Sequence, residues 1–219
     1  MTHAKLPRKL LHGLLAVTLT GAGFSAEAAL QARDHNSDTV IDGYYDTVLN
    51  ITWWADANAA AGSTLDDGFI TDDGFMSWQN AADWVAAFKP FGITGWRLPN
   101  IDVSSSCAGY LCNSSANELG QMYYTYLGGA PNSGVSSPLF SGIRNGQYWS
   151  NQWYLPDPEQ AITLNFSDGY QDADFKIDAV GAVWAVANGD VLAVPEPGAM
   201  VLFSVGLLAV LAMRRHQRR

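Results

Sequence analysis

The stretch Tyr44-Tyr45-Asp46-Thr47-Val48-Leu49-Asn50-Ile51-Thr52-Trp53-Trp54 sets the class of fold that this chain can adopt. β-Branched and aromatic residues dominate it, and that composition is typical of strands. The sequence therefore predicts a strand or a hairpin here. The residues that follow, 55–74, are rich in Gly, Asp and Asn and predict a loop.

Two helices are predicted downstream of the loop. Ser77 is a good N-cap for a helix over Trp78–Phe88, which Pro90 and Gly92 end. Its apolar face would carry Trp78, Ala81, Ala82, Val85 and Phe88. Ser115 or Asn117 can cap the second helix, whose stripe is Leu119, Met122, Tyr123, Tyr126 and Leu127.

The remainder of the chain predicts strands. They cover Gln147–Tyr154, Gln160–Phe166 and Ala182–Ala187, with a turn at Ser167-Asp168-Gly169. Helices early and strands late predict a single α+β domain with two helices and a mainly antiparallel sheet.

The carboxy-terminal tail has three parts in a fixed order. Val194, Pro195, Glu196 and Pro197 precede an apolar run over 199–213, and basic residues follow, beginning with Arg214 and Arg215. The run is shorter than the roughly 20 residues of a stable transmembrane helix. Basic residues beyond an apolar span stay in the cytoplasm, so the preceding domain would lie outside.

This arrangement resembles the PEP-CTERM sorting signal of Gram-negative bacteria. The resemblance implies processing by an exosortase, a short hydrophobic helix over 199–213, and delivery to the cell surface or extracellular matrix. It gives an address and does not identify an activity.

The amino terminus agrees with export. Lys5, Arg8 and Lys9 precede an apolar stretch, and Ala26-Glu27-Ala28 has the small-x-small pattern of a cleavage site. Residues 1–28 are therefore predicted to be a helical signal peptide. The domain would span 29–190 and the sorting region 191–219.

The charge of the domain excludes one class of partner. Residues 29–195 hold five basic and nineteen acidic residues, which gives a net charge of −14. Such a field repels phosphate backbones, so nucleic acid is not an expected partner.

Cys107 and Cys112 are the only cysteines in the chain. An exported protein passes through an oxidising compartment, so they are predicted to form a local disulfide. The alternative, a metal site, lacks nearby histidine.

Several motifs in the domain resemble one known family. Their order and spacing are similar to those of the family named for the carboxy-terminal domain of a bacterial collagen-like adhesin. The residues that carry the resemblance include Trp96, Arg97, Leu98, Pro99, Asn100, Tyr148, Trp149, Ser150 and Trp184.

The resemblance implies a fold and a general role. The Trp96–Asn100 segment is similar to the Arg-Leu-Pro-Thr element of C-type-lectin-like domains, which implies that fold. The family implies extracellular binding, in the adhesin to sulfated glycosaminoglycan through basic residues. This chain has no basic patch, so recognition of sulfate does not carry over. Arg97 is expected to be structural.

Ordinary hydrolytic chemistry is excluded by residue supply. His35 is the only histidine between the sorting segments, and no nucleophile motif or phosphate-binding glycine loop occurs. A glycosidase-like carboxylate pair stays open as an alternative because seventeen aspartates lie within 29–195. Glu118 and Glu159 are interpreted as solvated charges, Glu118 beside the positive end of a helix.

Calcium is the one cofactor for which the sequence offers ligands. Asp34, Asn36 and Asp38 place oxygens at alternate positions, as a calcium loop does, but the glycine and the final glutamate of such a loop are missing. Two further acidic groups, Asp66-Asp67 with Asp72-Asp73 and Asp168 with Asp172 and Asp174, could be calcium ligands or solvated turn residues.

Aromatic side chains supply the candidate ligand platform, because tryptophan stacks on the apolar faces of sugars. Trp149, Trp153 and Tyr154 are the candidates, and alternation would place Trp149 and Trp153 on one strand face. One face of the strand must be core, and the other could be either a binding surface or core as well. The sequence thus predicts a non-enzymatic exported protein that binds exopolysaccharide or another matrix component. A self-associating scaffold and a polysaccharide-active enzyme are the alternatives.

Overall fold

The computed structural model describes residues 29–101, 108–112, 117–178 and 180–191. Within these ranges the strands are β1 (Leu30–Arg33), β2 (Gly43–Asp46), β3 (Ile51–Trp54), β4 (Phe75–Met76), β5 (Trp96–Arg97), β6 (Gln147–Trp153), β7 (Gln160–Asn165), β8 (Gln171–Phe175), β9 (Gly181–Ala182) and β10 (Val186–Asn188). Helix α1 is Trp78–Ala87, and a 3₁₀ turn, Pro90–Gly92, follows it. Helix α2 begins as the α-helical turn Glu118–Gly120 and continues as the π-helical segment Gln121–Tyr126.

The strands form two sheets of five strands each. Their orders are β1-β2-β3-β10-β5 and β4-β9-β6-β7-β8. The pairings are antiparallel except for β6 with β9, where Tyr148 lies opposite Ala182 in parallel. Two short helices with mainly antiparallel sheet agree with the predicted α+β class.

The predicted hairpin is confirmed. β2 and β3 pair from Gly43 opposite Trp54 to Asp46 opposite Ile51. The Asp46 carboxylate accepts the N–H groups of Val48 and Leu49 at 2.9 and 3.0 Å, which fixes the turn between the strands.

Both predicted helices are present. The Ser77 hydroxyl accepts the Asn80 N–H, and Asn117, rather than Ser115, caps α2 through the Gly120 N–H. Trp84, which the predicted apolar face omitted, is buried with Ala81 and Val85 on α1.

The predicted last strand, Ala182–Ala187, is wrong as one element. β9 and β10 belong to different sheets, and Val183, Trp184 and Ala185 carry the chain between them through the core. The Trp54 N–H donates to the Ala185 carbonyl and the Trp184 indole donates to the Trp54 carbonyl, so this crossing segment keeps its polar groups satisfied. An apolar run alone does not reveal this change of sheet.

Two apolar cores meet at strand β6. The first surrounds Trp184, whose ring lies 5.1 Å from that of Trp53 and 5.0 Å from that of Phe140. The second lies beneath α1 and contains Trp149 and Trp96. Successive strand residues point to opposite faces, so Tyr148 enters the first core while Trp149 enters the second.

Candidate ligand-binding surface

The structure excludes Trp149 from the predicted platform. Its side chain is 0% exposed, and its indole N–H donates to the Met76 carbonyl at 2.8 Å. A Cβ on Gly181 would lie 3.0 Å from the indole nitrogen, so strand β9 packs closely against the ring. Strand β6 is covered on both faces here, so at this position the alternative of core on both faces is confirmed.

Trp153, in contrast, is 50% exposed. A register shift in β6 separates it from Trp149: Trp149 lies opposite Thr163 and Trp153 opposite Ala161. The strand thus has two more residues than β7 over this interval and carries Trp153 to the end of the sheet.

Lys176 and Trp78 hold the Trp153 ring in place. The Lys176 ammonium nitrogen lies 4.0 Å from the centroid of the Trp153 ring and 5.1 Å from that of Trp78, and it donates to the Pro158 carbonyl. The two indoles meet edge to face with centroids 6.3 Å apart. The accessible ring is therefore fixed before any ligand arrives.

Tyr154 contributes less than expected. It is half-buried, and its side chain packs against the first core. The accessible part of the predicted platform is thus mainly Trp153.

Carboxylates share the strand face of Trp153. Trp153 lies opposite Ala161, and Ala161 lies opposite Asp174, so the three occupy one row across β6, β7 and β8. Asp172 lies two residues from Asp174 on the same face of β8 and is exposed. We call this surface, defined by Trp153, Lys176, Asp172 and Asp174, the Trp153 face.

Asp174 is the carboxylate on this face with side-chain partners, whereas Asp172 accepts the Ala173 N–H at 2.8 Å. Asp174 accepts the Gln147 amide at 2.7 Å and the Thr163 hydroxyl at 2.8 Å. Burial raises the pKa of Asp174; the Thr163 hydrogen bond opposes the rise and the charge of Asp172 adds to it.

Arg97 and Glu118 form a different site, which we call the Arg97–Glu118 junction. The guanidinium makes two 2.8 Å hydrogen bonds to the Glu118 carboxylate and also donates to Asn188 and to the Leu98 carbonyl. Glu118 in turn accepts the Asn100 N–H at 2.6 Å. The interpretation of Glu118 as solvated is wrong, because it is only 8% exposed and joins α2 to β5.

The other residues that carry the family resemblance are also structural. Leu98, Pro99, Tyr148 and Trp184 are buried. Ser150 is 0% exposed and its hydroxyl donates to the Ile162 carbonyl at 2.7 Å. These buried motif residues contribute to the packing of the domain.

The proposed calcium ligands act on their own backbone. The Asp34 carboxylate accepts the N–H groups of Asp38 and Thr39, and Asp38 accepts that of Val40. The second acidic loop behaves similarly, with Asp66 accepting the N–H groups of Gly62 and Gly74. Across the described ranges no group of three His, Cys, Asp or Glu side chains is arranged to hold a metal ion. Calcium binding stays a prediction.

His35 lies buried in the same loop as the first of these groups. It is 7% exposed, and neither ring nitrogen has a hydrogen-bond partner among the residues that the structure describes. Burial lowers the pKa of His35, while the negative charge of Asp42 opposes that effect.

Some predicted features lie outside the described residues. These are the signal peptide 1–28, the sorting motif with its apolar run 199–213, and Cys107. Cys112 is buried and is not a free thiol, but the bridge to Cys107 stays a prediction. In the part of the chain that is described, no helix is long and apolar enough to cross a membrane.

Lys176 was missed by sequence reasoning. It directly follows β8, whose sequence is Gln-Asp-Ala-Asp-Phe. The two aspartates in that sequence are typical of turns and do not indicate a strand. Alternation of polar and less polar residues over 171–175 was the available signal.

Comparison with known proteins identifies two regions. A family model described as the Lcl C-terminal domain matches residues 43–187, and one described as the PEP-CTERM protein-sorting motif matches residues 193–219. No curated protein matches this chain significantly, and no solved structure does.

Proposed function

Because this chain belongs to the Lcl C-terminal domain family and ends in a PEP-CTERM sorting motif, we propose that it is a non-enzymatic surface or matrix protein that binds carbohydrate through the Trp153 face. The sorting motif implies export in a Gram-negative bacterium and recognition by an exosortase. The carbohydrate ligand, which we take to be exopolysaccharide, and the matrix location are the proposed part.

The observation that supports carbohydrate binding is the fixed, half-exposed ring of Trp153. An indole offers a large apolar face with a polar edge, which suits the mixed surface of a sugar. Lys176 and Trp78 already restrict the ring, so binding costs less side-chain entropy than it would at a mobile tryptophan. Asp172 and the Asp174 network place hydrogen-bond acceptors on the same face.

The finer fold assignment belongs to the same proposal. We assign the domain to the C-type-lectin-like class, on the resemblance of the Trp96–Asn100 segment. In this chain that segment forms β5 and anchors α2 through the Arg97–Glu118 junction.

A substitution test distinguishes binding at the proposed surface from non-specific binding. The full-length protein, purified in a mild detergent, would be run by affinity electrophoresis through gels containing exopolysaccharide from the host strain. Trp153→Ala should abolish the retardation. Phe69→Ala is the matched control, because Phe69 is 95% exposed but lies in the loop before β4.

Two results would count against the proposal. Retardation unchanged in Trp153→Ala would remove the Trp153 face as the binding site. Release of new reducing ends from the polysaccharide, lost in Asp172→Asn or Asp174→Asn, would instead show an enzyme that uses this aspartate pair.

A self-associating scaffold is the second candidate, and exposed apolar side chains favour it. Phe69 and Ile70 are 95% and 66% exposed at the tip of one loop, a position that a second copy could cover. Light scattering over a range of concentrations distinguishes the two roles. A strict monomer would exclude the scaffold, and association lost in Phe69→Ala would support it.

A further inference from the structure

The charge of the Trp153 face limits which polysaccharides can bind there. The inference that follows rests on the proposed function. The row Trp153, Ala161, Asp174 crosses three strands, so about 10 Å separates the backbone of Trp153 from that of Asp174. Asp172 lies about 7 Å further along β8. Ala161 is 0% exposed, so an extended polymer would contact this row at its two ends, at the tryptophan ring and at the two carboxylates of β8.

Negative charge is also concentrated at the edge of this face. The turn between β6 and β7 holds Asp157 and Glu159, and Asp178 follows β8. The Lys176 N–H donates to the Glu159 carbonyl, which brings the end of β8 against that turn. The ion pairs within the described ranges, Arg33–Asp190 and Arg97–Glu118, involve none of these carboxylates.

Among the described residues, no basic side chain on this face is free to attract an anionic polymer. Lys89 is exposed, but it follows the end of α1 opposite to Trp78. The Lys176 ammonium is held over the two indole rings and donates to Pro158. Arg33 and Arg97 are paired with carboxylates, and the Arg144 guanidinium lies over the ring of Phe75 at 5.6 Å. A sulfated or uronic acid polymer would thus be repelled by the net charge of −14 without a compensating contact.

We propose that the Trp153 face binds a polysaccharide that carries free amino groups, such as a partly deacetylated amino-sugar polymer. Its ammonium groups would lie beside Asp172 and Glu159, while the apolar face of a sugar ring stacks on Trp153. The carboxylates favour a cationic sugar polymer over a neutral or anionic one. The Trp153 ring favours a sugar polymer over a polycation that has no sugar rings. The Lys176 ammonium already lies 4.0 Å from the centroid of the Trp153 ring, so the ammonium groups of the ligand are assigned to the carboxylates and the sugar ring to the indole.

The test compares sugar oligomers of one length that differ in acetylation, with an anionic oligomer as a further comparison. Binding of the full-length protein in mild detergent would be measured by calorimetry to glucosamine oligomers, to their fully N-acetylated counterparts, and to oligomers of a uronic acid. We expect glucosamine oligomers to bind at least about tenfold more tightly than acetylated ones, with an affinity that falls as salt rises.

Two sets of variants separate this site from the general charge of the domain. Trp153→Ala should weaken binding of glucosamine oligomers about tenfold although the net charge is unchanged. Asp172→Asn with Glu159→Gln should remove most of the preference for free amines. Asp72→Asn with Asp83→Asn changes the net charge equally at exposed positions on other elements and should leave the preference intact. Circular dichroism would verify that each variant is folded.

Each other outcome overturns a defined part of the inference. Equal affinity for acetylated and deacetylated oligomers would overturn the amino-sugar selectivity and leave carbohydrate binding standing. Equal binding of polylysine, or full binding by Trp153→Ala, would show general attraction of polycations only. If no oligomer and no host polysaccharide bound, the proposed function itself would fall.

Discussion

The Arg97–Glu118 junction and the Trp153 face each combine one basic side chain with nearby carboxylates, yet they differ in how those charges are satisfied. At the junction the guanidinium and the carboxylate pair with two hydrogen bonds and have further backbone and side-chain partners. On the Trp153 face the cation lies over aromatic rings, and the carboxylates form no ion pair with it. A satisfied buried pair holds elements together, whereas accessible unpaired charge beside a fixed ring is available to a ligand.

The strongest test of this comparison replaces Trp149, the buried neighbour of the Trp153 face. Trp149→Ala should lower the free energy of unfolding by about 4 kcal/mol, because it leaves a cavity in the second core and frees the Met76 carbonyl from its donor. Urea unfolding followed by circular dichroism would measure this. A loss below about 1 kcal/mol would contradict the assignment of Trp149 to the core.

The junction should give the next largest effect. Glu118→Gln leaves the Arg97 guanidinium without its anionic partner and should cost about 3 kcal/mol of unfolding free energy. Glu159→Gln is the matched control, because Glu159 is exposed and has no ion pair among the described residues. It should change stability by less than about 0.5 kcal/mol. Equal losses of unfolding free energy in the two variants would show that the junction is no more important for stability than the exposed Glu159.

His35 provides an intermediate case, buried but unsatisfied. Its pKa is lowered by burial, so the folded protein favours the neutral ring. As the pH falls below 6.5, the unfolded chain takes up a proton that the folded protein does not, and stability decreases. His35→Phe should remove this part of the pH dependence, which unfolding curves at several pH values would detect. If His35→Phe left the pH dependence of stability unchanged, the pKa of His35 would not be lowered by folding, and the prediction would be wrong.

Trp153→Ala should cost less stability than the substitutions at Trp149 and Glu118. Half of the side chain is already in water, so the loss should be about 2 kcal/mol. The same substitution should weaken carbohydrate binding about tenfold, whereas Trp149→Ala acts mainly on the stability of the fold. A stability loss equal to that of Trp149→Ala would show that Trp153 is a core residue.

Local patterns predicted much of the fold but little of the candidate site. The hairpin over Tyr44–Trp54 and the helix capped by Ser77 follow from composition and spacing, and both are present. β8 was not predicted because its aspartates are typical of turns. Without that strand, the sequence could not indicate that Lys176 lies near Trp153. Glu118 was misread because its partner is 21 residues away along the chain.

The sequence by itself determined the α+β class, the carboxy-terminal sorting motif and the acidity of the domain, because each of these depends on residues that are neighbours in the chain or on a simple count. Only the tertiary structure decided which of two tryptophans, four residues apart, faces water. That choice depends on the register shift in β6 and on the packing of β9 and Lys176 against the two rings. Such contacts join residues that are distant in the chain, and no local pattern of side chains specifies them.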